Sequence, residues 1–210
     1  NESFRDFTVI KGATPKEDKI RFGLLTIKNL GGEIADAVIA ERTAHGRFTS
    51  FADLLDRVKH KNLNKKSLEA LIKTGAMDEL GERGLLLFNM DEALEYNRER
   101  SKNAGSNQDS LFGLFEDQST AGIPTLKLKP SEPASMADKL SWEKELLGLY
   151  VSGHPLQKFK EKFEKHEQTI KSIKDSAENT PVVVAGLVEE LKIINTKNGD
   201  QMAFMTIADF

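Results

Sequence analysis

The chain has no cysteine. Disulfides, thiolate metal sites and cysteine nucleophiles are therefore excluded, and a reducing compartment is mildly favoured. It has no apolar run long enough to span a bilayer, and its first residues lack the basic, apolar and small-residue succession of a secretion signal. A cytoplasmic protein without a membrane partner is expected. The four histidines, His45, His60, His154 and His166, fall at no metal-ligand spacing and are assigned to surface or packing roles. No metal and no cofactor are expected in this chain. Paired acids are equally sparse: Asp53 and Asp56 in "DLLD" have the spacing of a solvated helix edge rather than of convergent carboxylates. No catalytic residue is assigned.

An excess of positive charge is missing too, since the formal net charge is −3. Spread evenly, that would argue against phosphate-rich ligands. It is not spread evenly. "RVKHKNLNKKSLEALIK" holds Arg57, Lys59, Lys61, Lys65, Lys66 and Lys73 against Glu69 alone, while acids gather in "DELGERG" and "DEALEYNRE". What remains is a well-solvated composition, 39% hydrophobic and 30% charged in 210 residues, enough for one or two domains with a real core.

Along the chain, "FRDFTVI" and "KIRFGLL" are β-leaning runs around "KGATPKED", whose Gly, Pro and Asp supply turn chemistry. A hairpin leading into helix is expected. After Gly31 and Gly32, "IADAVIAER" has helical spacing; Ser50, or alternatively Thr49, caps a helix that buries Leu54, Leu55 and Val58. A further helix starts near Asn64 and stops at Gly75. "LLLFNMDEALEYNRERSK" reads as one more helix, and periodicity then fades over 101–135, a loop or linker rich in Ser, Asn, Gly and Pro. Helix returns over Met136–Tyr150, closed by Gly153 and Pro155, with Leu140, Trp142, Leu146, Leu147 and Leu149 available for packing; "PLQKFKEKFEKHEQTIKSI" then reads as a basic amphipathic helix. From Pro181 the pattern turns β-branched, with a hairpin signal at Asn198-Gly199. Two strands are not a domain, so the chain is expected to be a fragment that stops inside a β-fold.

An internal repeat matters more than the helix count. "NLGGEIADAVI" from Asn29 aligns with "NLNKKSLEALI" from Asn62, matching the Asn-Leu start, Asp36 with Glu69, Ala37 with Ala70 and Ile39 with Ile72. Each copy is a turn entering a helix. Asn and Gly tolerate positive φ, so such a turn can point backbone N–H groups outward at a helix N-terminus while Leu30 or Leu63 plugs the core. Phosphate oxygens suit those amides, with charge from Lys28 in one copy and Lys61, Lys65 and Lys66 in the other. The candidate DNA-binding set is therefore Lys28, Asn29, Gly31, Gly32, Lys61, Asn62, Asn64, Lys65 and Lys66. Such contacts hold a duplex without reading bases. A single copy would be a plain capped αα-hairpin; duplication beside a basic stretch favours binding.

These residues carry a resemblance. The turns resemble a tandem helix-hairpin-helix module, and "IRFGLLTIKNLGGEIADAVIAER", "NKKSLEALIKTGAMDEL" and "EKELLGLYVSGHPL" resemble the C-terminal half of the α subunit of bacterial DNA polymerase III. Asparagine stands at Asn29, Asn62 and Asn64 where that hairpin family usually has glycine. The resemblance implies a mainly α fold: a β-hairpin over 1–24, a tandem helix-hairpin-helix domain over 25–100, a loop over 101–135, a helical connector over 136–180, and over 181–210 the truncated start of an oligonucleotide/oligosaccharide-binding (OB) fold.

It also gives meaning to "QDSLF" in the loop, which resembles the sliding-clamp-binding pentapeptide of replication proteins. Leu111 and Phe112 would fill apolar clamp pockets, Gln108 would bond at the rim and Ser110 would shape the turn. The alternative is that Leu111, Phe112, Leu114 and Phe115 fold back on the helical block. The resemblance implies a non-catalytic, duplex-gripping and clamp-binding part of a DNA-directed DNA polymerase, with primer-template DNA, the β sliding clamp and other replisome subunits as partners. Catalytic aspartates and their divalent metal, expected to be Mg, would lie upstream. Competing readings are a helix-hairpin-helix repair or recombination protein and an interaction scaffold without DNA binding.

Overall fold

The computed structural model describes residues 1–105, 126–165, 169–173 and 180–209, without the side chains of 101–105. Gln108, Ser110, Leu111 and Phe112 lie outside the described residues. The chain divides into two units, Asn1–Leu149 and Tyr150–Phe210.

In the first unit the two β-leaning runs pair antiparallel, β1 (Thr8–Ile10) with β2 (Lys19–Arg21), placing Val9 opposite Ile20. The turn between them is held from within. Glu17 accepts from the amides of Ala13 and Thr14, and Asp18 accepts from Gly12 N and Lys11 Nζ. A 3-10 turn, Leu24–Thr26, then leads to α1 (Gly32–His45), α2 (Phe51–Arg57) and α3 (Lys65–Lys73). Local chemistry sets their limits. Ser50 Oγ accepts from Asp53 N at the start of α2, and Asn64 Oδ1 from Ser67 N at the start of α3, caps that each contribute about 1 kcal/mol. Thr49 instead donates to Asp53. Past α3, Gly75 has φ 76°, and a Cβ there would stand 2.2 Å from Arg83 Nη2. Both the backbone and the close approach require glycine.

Ile34 of α1, Leu55 of α2, Leu68 and Ile72 of α3, and Leu86 farther on are fully buried and share one cluster with Phe48, Phe51 and Met77. Each large apolar side chain so buried contributes about 1.5–3 kcal/mol.

The region read as one long helix is two, α4 (Arg83–Phe88) and α5 (Met90–Gly105). Buried Asn89 parts them. Its Nδ2 donates to Leu85 O at 2.8 Å and Lys129 O at 2.9 Å, while its Oδ1 accepts from Lys129 N at 2.7 Å. A side chain that binds the backbone in this way competes with a continuing helix, and here it stitches on a segment 40 residues away.

The next helix, α6 (Met136–Leu147), also ends earlier than its periodicity suggests, because Gly148 closes it at φ 80°, before Gly153 and Pro155. Leu140 and Leu146 pack inward and Leu149 is exposed. Between them Glu143 is fully buried, and its Oε1 accepts from Arg83 Nη1 at 2.8 Å. Arg83 also donates to Asp78 and to Lys73 O. Burial opposes the charge of Arg83, yet Asp78 and Glu143 hold its pKa above the ordinary value. Glu82 joins the same closure, accepting from Ala134 N and from Lys139 Nζ, both at 3.0 Å.

In the second unit the expected basic helix is interrupted: a 3-10 turn (Pro155–Phe159) precedes α7 (Lys160–Glu164), and α8 (Ile170–Ile173) is separate. His154 Nδ1 caps the 3-10 turn, and across Pro155–Glu164 only Leu156 is buried. Without an apolar stripe to pack, a longer helix has little to stabilise it. β3 (Leu187–Asn195) and β4 (Gln201–Ala208) pair antiparallel, with Leu191 opposite Met205. Thr196 N donates to Asp200 O across the turn that holds Asn198-Gly199. The fold is mainly α, with an antiparallel strand pair toward each end.

Candidate nucleic-acid interface

The repeat seen in the sequence is a repeat of structure. Leu30 N donates to Ile27 O at 3.3 Å, and Leu63 N donates to His60 O at 2.9 Å. Ala35 N donates to Gly31 O at 3.2 Å, as Leu68 N does to Asn64 O at 3.0 Å. Leu30 and Leu63 are both buried. Each copy is thus a corner pinned by a leucine, followed by the first turn of α1 or α3.

Beyond that shared frame the corners differ. Positive φ occurs at Asn29, 68°, a value asparagine accepts more readily than most residues; Gly31 takes an ordinary extended conformation with φ −72°. Gly31 is the N-cap of α1 and supplies no side chain, so no side chain caps that helix's first amides. A Cβ at Gly31 would meet nothing within 4 Å. The first corner therefore presents open backbone donors at the positive end of a helix dipole. The second corner is more self-contained. Asn64 and Ser67 cap each other reciprocally, and Ser67 Oγ donates to Asn62 O at 2.8 Å.

The two corners lie against each other. Asn62 Nδ2 donates to Glu33 Oε2 at 2.7 Å, joining the second corner to the first turn of α1, and His60 Nε2 stands 4.0 Å from the same oxygen. Lys28 N donates to Leu146 O at 3.0 Å, which seats the first corner on α6. Asn29 and Lys66 line one cleft with Glu69 and Glu145. Lys28, Asn29, Gly31, Lys61, Asn64, Lys65 and Lys66 are exposed, and Gly32 and Asn62 are partly so.

The basic stretch divides by role. Arg57 is structural: it bonds Glu41, Asp53 and the carbonyls of Glu41, Gly46 and Arg47, and lies 4.5 Å over the Phe48 ring. Lys73 pairs with Glu69 at 2.6 Å and faces Trp142. Lys65 pairs with Asp91 at 2.8 Å, and that hydrogen bond raises its pKa. Among the described residues, Lys28, Lys59, Lys61 and Lys66 form no ion pair.

Asp53 and Asp56 are absorbed by the fold. Asp53 accepts from Thr49 and Arg57, and Asp56 accepts from Tyr96 Oη at 2.8 and 2.9 Å and from Arg100 Nε at 2.8 Å. Burial first, then Asp56, pushes the Tyr96 hydroxyl above its ordinary pKa. Among the described residues no group of three or more His, Asp or Glu side chains is arranged to hold a metal.

This geometry accords with what the chain resembles. Residues 1–85 match the family model of the helix-hairpin-helix motif. Along its whole length the chain is 38% identical to DNA polymerase III subunit alpha of Borreliella burgdorferi, of which it covers 18%. It is 33% identical, again over its whole length, to the same subunit of Thermus aquaticus, covering 16% of that protein. Over 92% of its length it is 34% identical to the subunit of Aquifex aeolicus, covering 15%. The chain is homologous to one segment of bacterial DNA polymerase III α subunits. It spans less than a fifth of the length of these relatives. The sequence pattern located both corners, but it missed Glu33 and Asp91, the carboxylates that engage Asn62 and Lys65. Glu33 had a local signal, an acid in the first turn of a helix. Asp91 had none, because its partner lies 26 residues away.

Proposed function

We propose that this segment grips duplex DNA behind the active site of a bacterial replicative polymerase and takes no part in the chemistry. The supporting observation is the abutment, through Asn62 and Glu33, of two exposed corners, one with uncapped α1 amides and Lys28 and the other with Lys61 and Lys66. Backbone amides and lysines bind phosphate without regard to base identity, as a moving polymerase requires. Nucleotide transfer, and the divalent metal it needs, are assigned to other parts of the polymerase.

"QDSLF" is the proposed anchor for the β sliding clamp, through Gln108, Ser110, Leu111 and Phe112. Burying the two apolar side chains contributes roughly 1.5–3 kcal/mol each, against the ordering of a short peptide, so isolated affinity falls on the order of micromolar. A clamp on the same duplex multiplies the two contacts by about 10² to 10⁴ through effective concentration. Processive synthesis follows. β3 and β4 are proposed as the first strands of an OB fold.

The test is duplex affinity against salt. Neutralising about four to six phosphates gives a slope of log K on log salt of roughly −4 to −5. A flat response supports an interaction scaffold instead. Clamp capture by the chain, compared with a variant in which Gln108, Leu111 and Phe112 are alanine, tests the second contact; equal capture refutes it.

A further inference from the structure

Beside the second corner, and lined on one side by it, runs a groove of about 1020 Å³ that reaches across to α5. Lys59, Lys61 and Lys65 line one side; α5 supplies the other, through the acids Asp91 and Glu95 and through Asn97 and Arg98. Arg98 is exposed and, among the described residues, has no carboxylate partner. Asn97 is anchored through its Nδ2 on Leu55 O at 2.7 Å, which fixes this face of α5 against α2. The groove thus has, among the described residues, unpaired Lys59 and Lys61 on one side and unpaired Arg98, beside Asp91 and Glu95, on the other.

We infer that this groove seats one sugar-phosphate strand, with Arg98 as a phosphate contact outside the hairpin repeat and Asp91 as the residue that competes with that strand for Lys65. The inference rests on the duplex-gripping function and extends it to α5. A guanidinium matches phosphate with a planar fork of donors. Lys59 and Lys61 face it from a different element, so a strand lying in the channel meets positive charge on two sides. Asp91 occupies Lys65 Nζ at 2.8 Å when no ligand is bound, and it is itself widely exposed. A phosphate entering the groove must take Lys65 from it. The exposed pair is weak enough to exchange. Asp91 thus keeps one cation from contributing to loose, nonspecific association.

The test uses the whole chain and a short labelled duplex of mixed sequence, with affinity measured across a salt series. Arg98→Gln removes one phosphate contact and makes the slope shallower by about 0.9. Asp91→Asn removes the competitor for Lys65 and tightens binding several-fold at fixed salt. In a Lys65→Met background the same Asp91→Asn change tightens binding far less. General charge repulsion would instead tighten binding by the same factor in either background. Both side chains are exposed, and unchanged melting temperatures confirm that the variants are folded. A flat wild-type response overturns the duplex function, and this inference with it. A steep wild-type response that neither Arg98→Gln nor Asp91→Asn alters overturns the inference alone.

Discussion

Removing Arg83 should cost more than any other single change to a charged residue in the first unit. The side chain is 4% exposed, and its ion-pair partner 60 residues on, Glu143, is 0% exposed. Breaking a buried pair by deleting one member costs about 3–5 kcal/mol, because the other charge is left in a medium that cannot solvate it. Arg83→Ala takes the guanidinium away from buried Glu143 and also releases Asp78 and Lys73 O, so it belongs in that range. Glu143→Gln is milder. The amide oxygen still accepts from Arg83, and the half-exposed Asp78 still balances the guanidinium, which leaves a loss of about 1–2 kcal/mol. The pair Arg83→Met with Glu143→Leu strands neither charge and should recover most of the loss of Arg83→Ala. Trp142, the only tryptophan, adjoins Glu143 on α6, so its fluorescence during urea unfolding reports this unit. A loss below about 1 kcal/mol for Arg83→Ala, or a double variant no better than it, would refute the argument that stranded charge sets the scale.

Gly31→Asp gives α1 a cap it lacks, contributing about 0.3 kcal/mol of stability, while putting a carboxylate on the amides proposed to bind phosphate. Higher melting temperature with weaker duplex binding is expected; unchanged binding would remove those amides from the interface. Reversing charge at Lys65 and Lys66 should weaken binding to all sequences alike, checked by competition between duplexes of different composition. Acid should loosen residues 126–139 before the corners. Burial would raise the pKa of Glu82, but Lys139 and the amides of Leu85, Ala134 and Gly84 win, holding it below the ordinary value of 4.5. A carboxylate depressed in the folded state stabilises above its unfolded pKa, and that contribution is lost as pH falls through the folded value. The protection of the Ala134 amide, its exchange rate relative to the unfolded amide at the same pH, should therefore fall below about pH 4.5, and Glu82→Gln should show the lower protection already at neutral pH.

What the sequence revealed was what neighbouring residues decide. Ser50 and Asn64 are caps because each bonds an amide three residues ahead, and Gly75 follows the last turn of its helix. Both corners were visible because one local pattern occurs twice. The failures have distant causes. Asn89 interrupts a helical period because of Lys129. Glu143 sits inside because Arg83 meets it there. In "PLQKFKEKF" the spacing is helical, but across Pro155–Glu164 only Leu156 finds a buried place. A period describes which face could pack, not whether a surface exists to receive it.

The bonds of Lys129 to Asn89, Ala134 to Glu82, Glu143 to Arg83 and Leu146 to Lys28 all fasten residues after 125 onto residues before 106. None of them depends on the peptide chain being continuous between those points. A protease cut inside 106–125 should yield two pieces that stay together through size exclusion and come apart only in denaturant. Residues before 106 and residues after 125 are thus tied together by side chains as well as by the backbone.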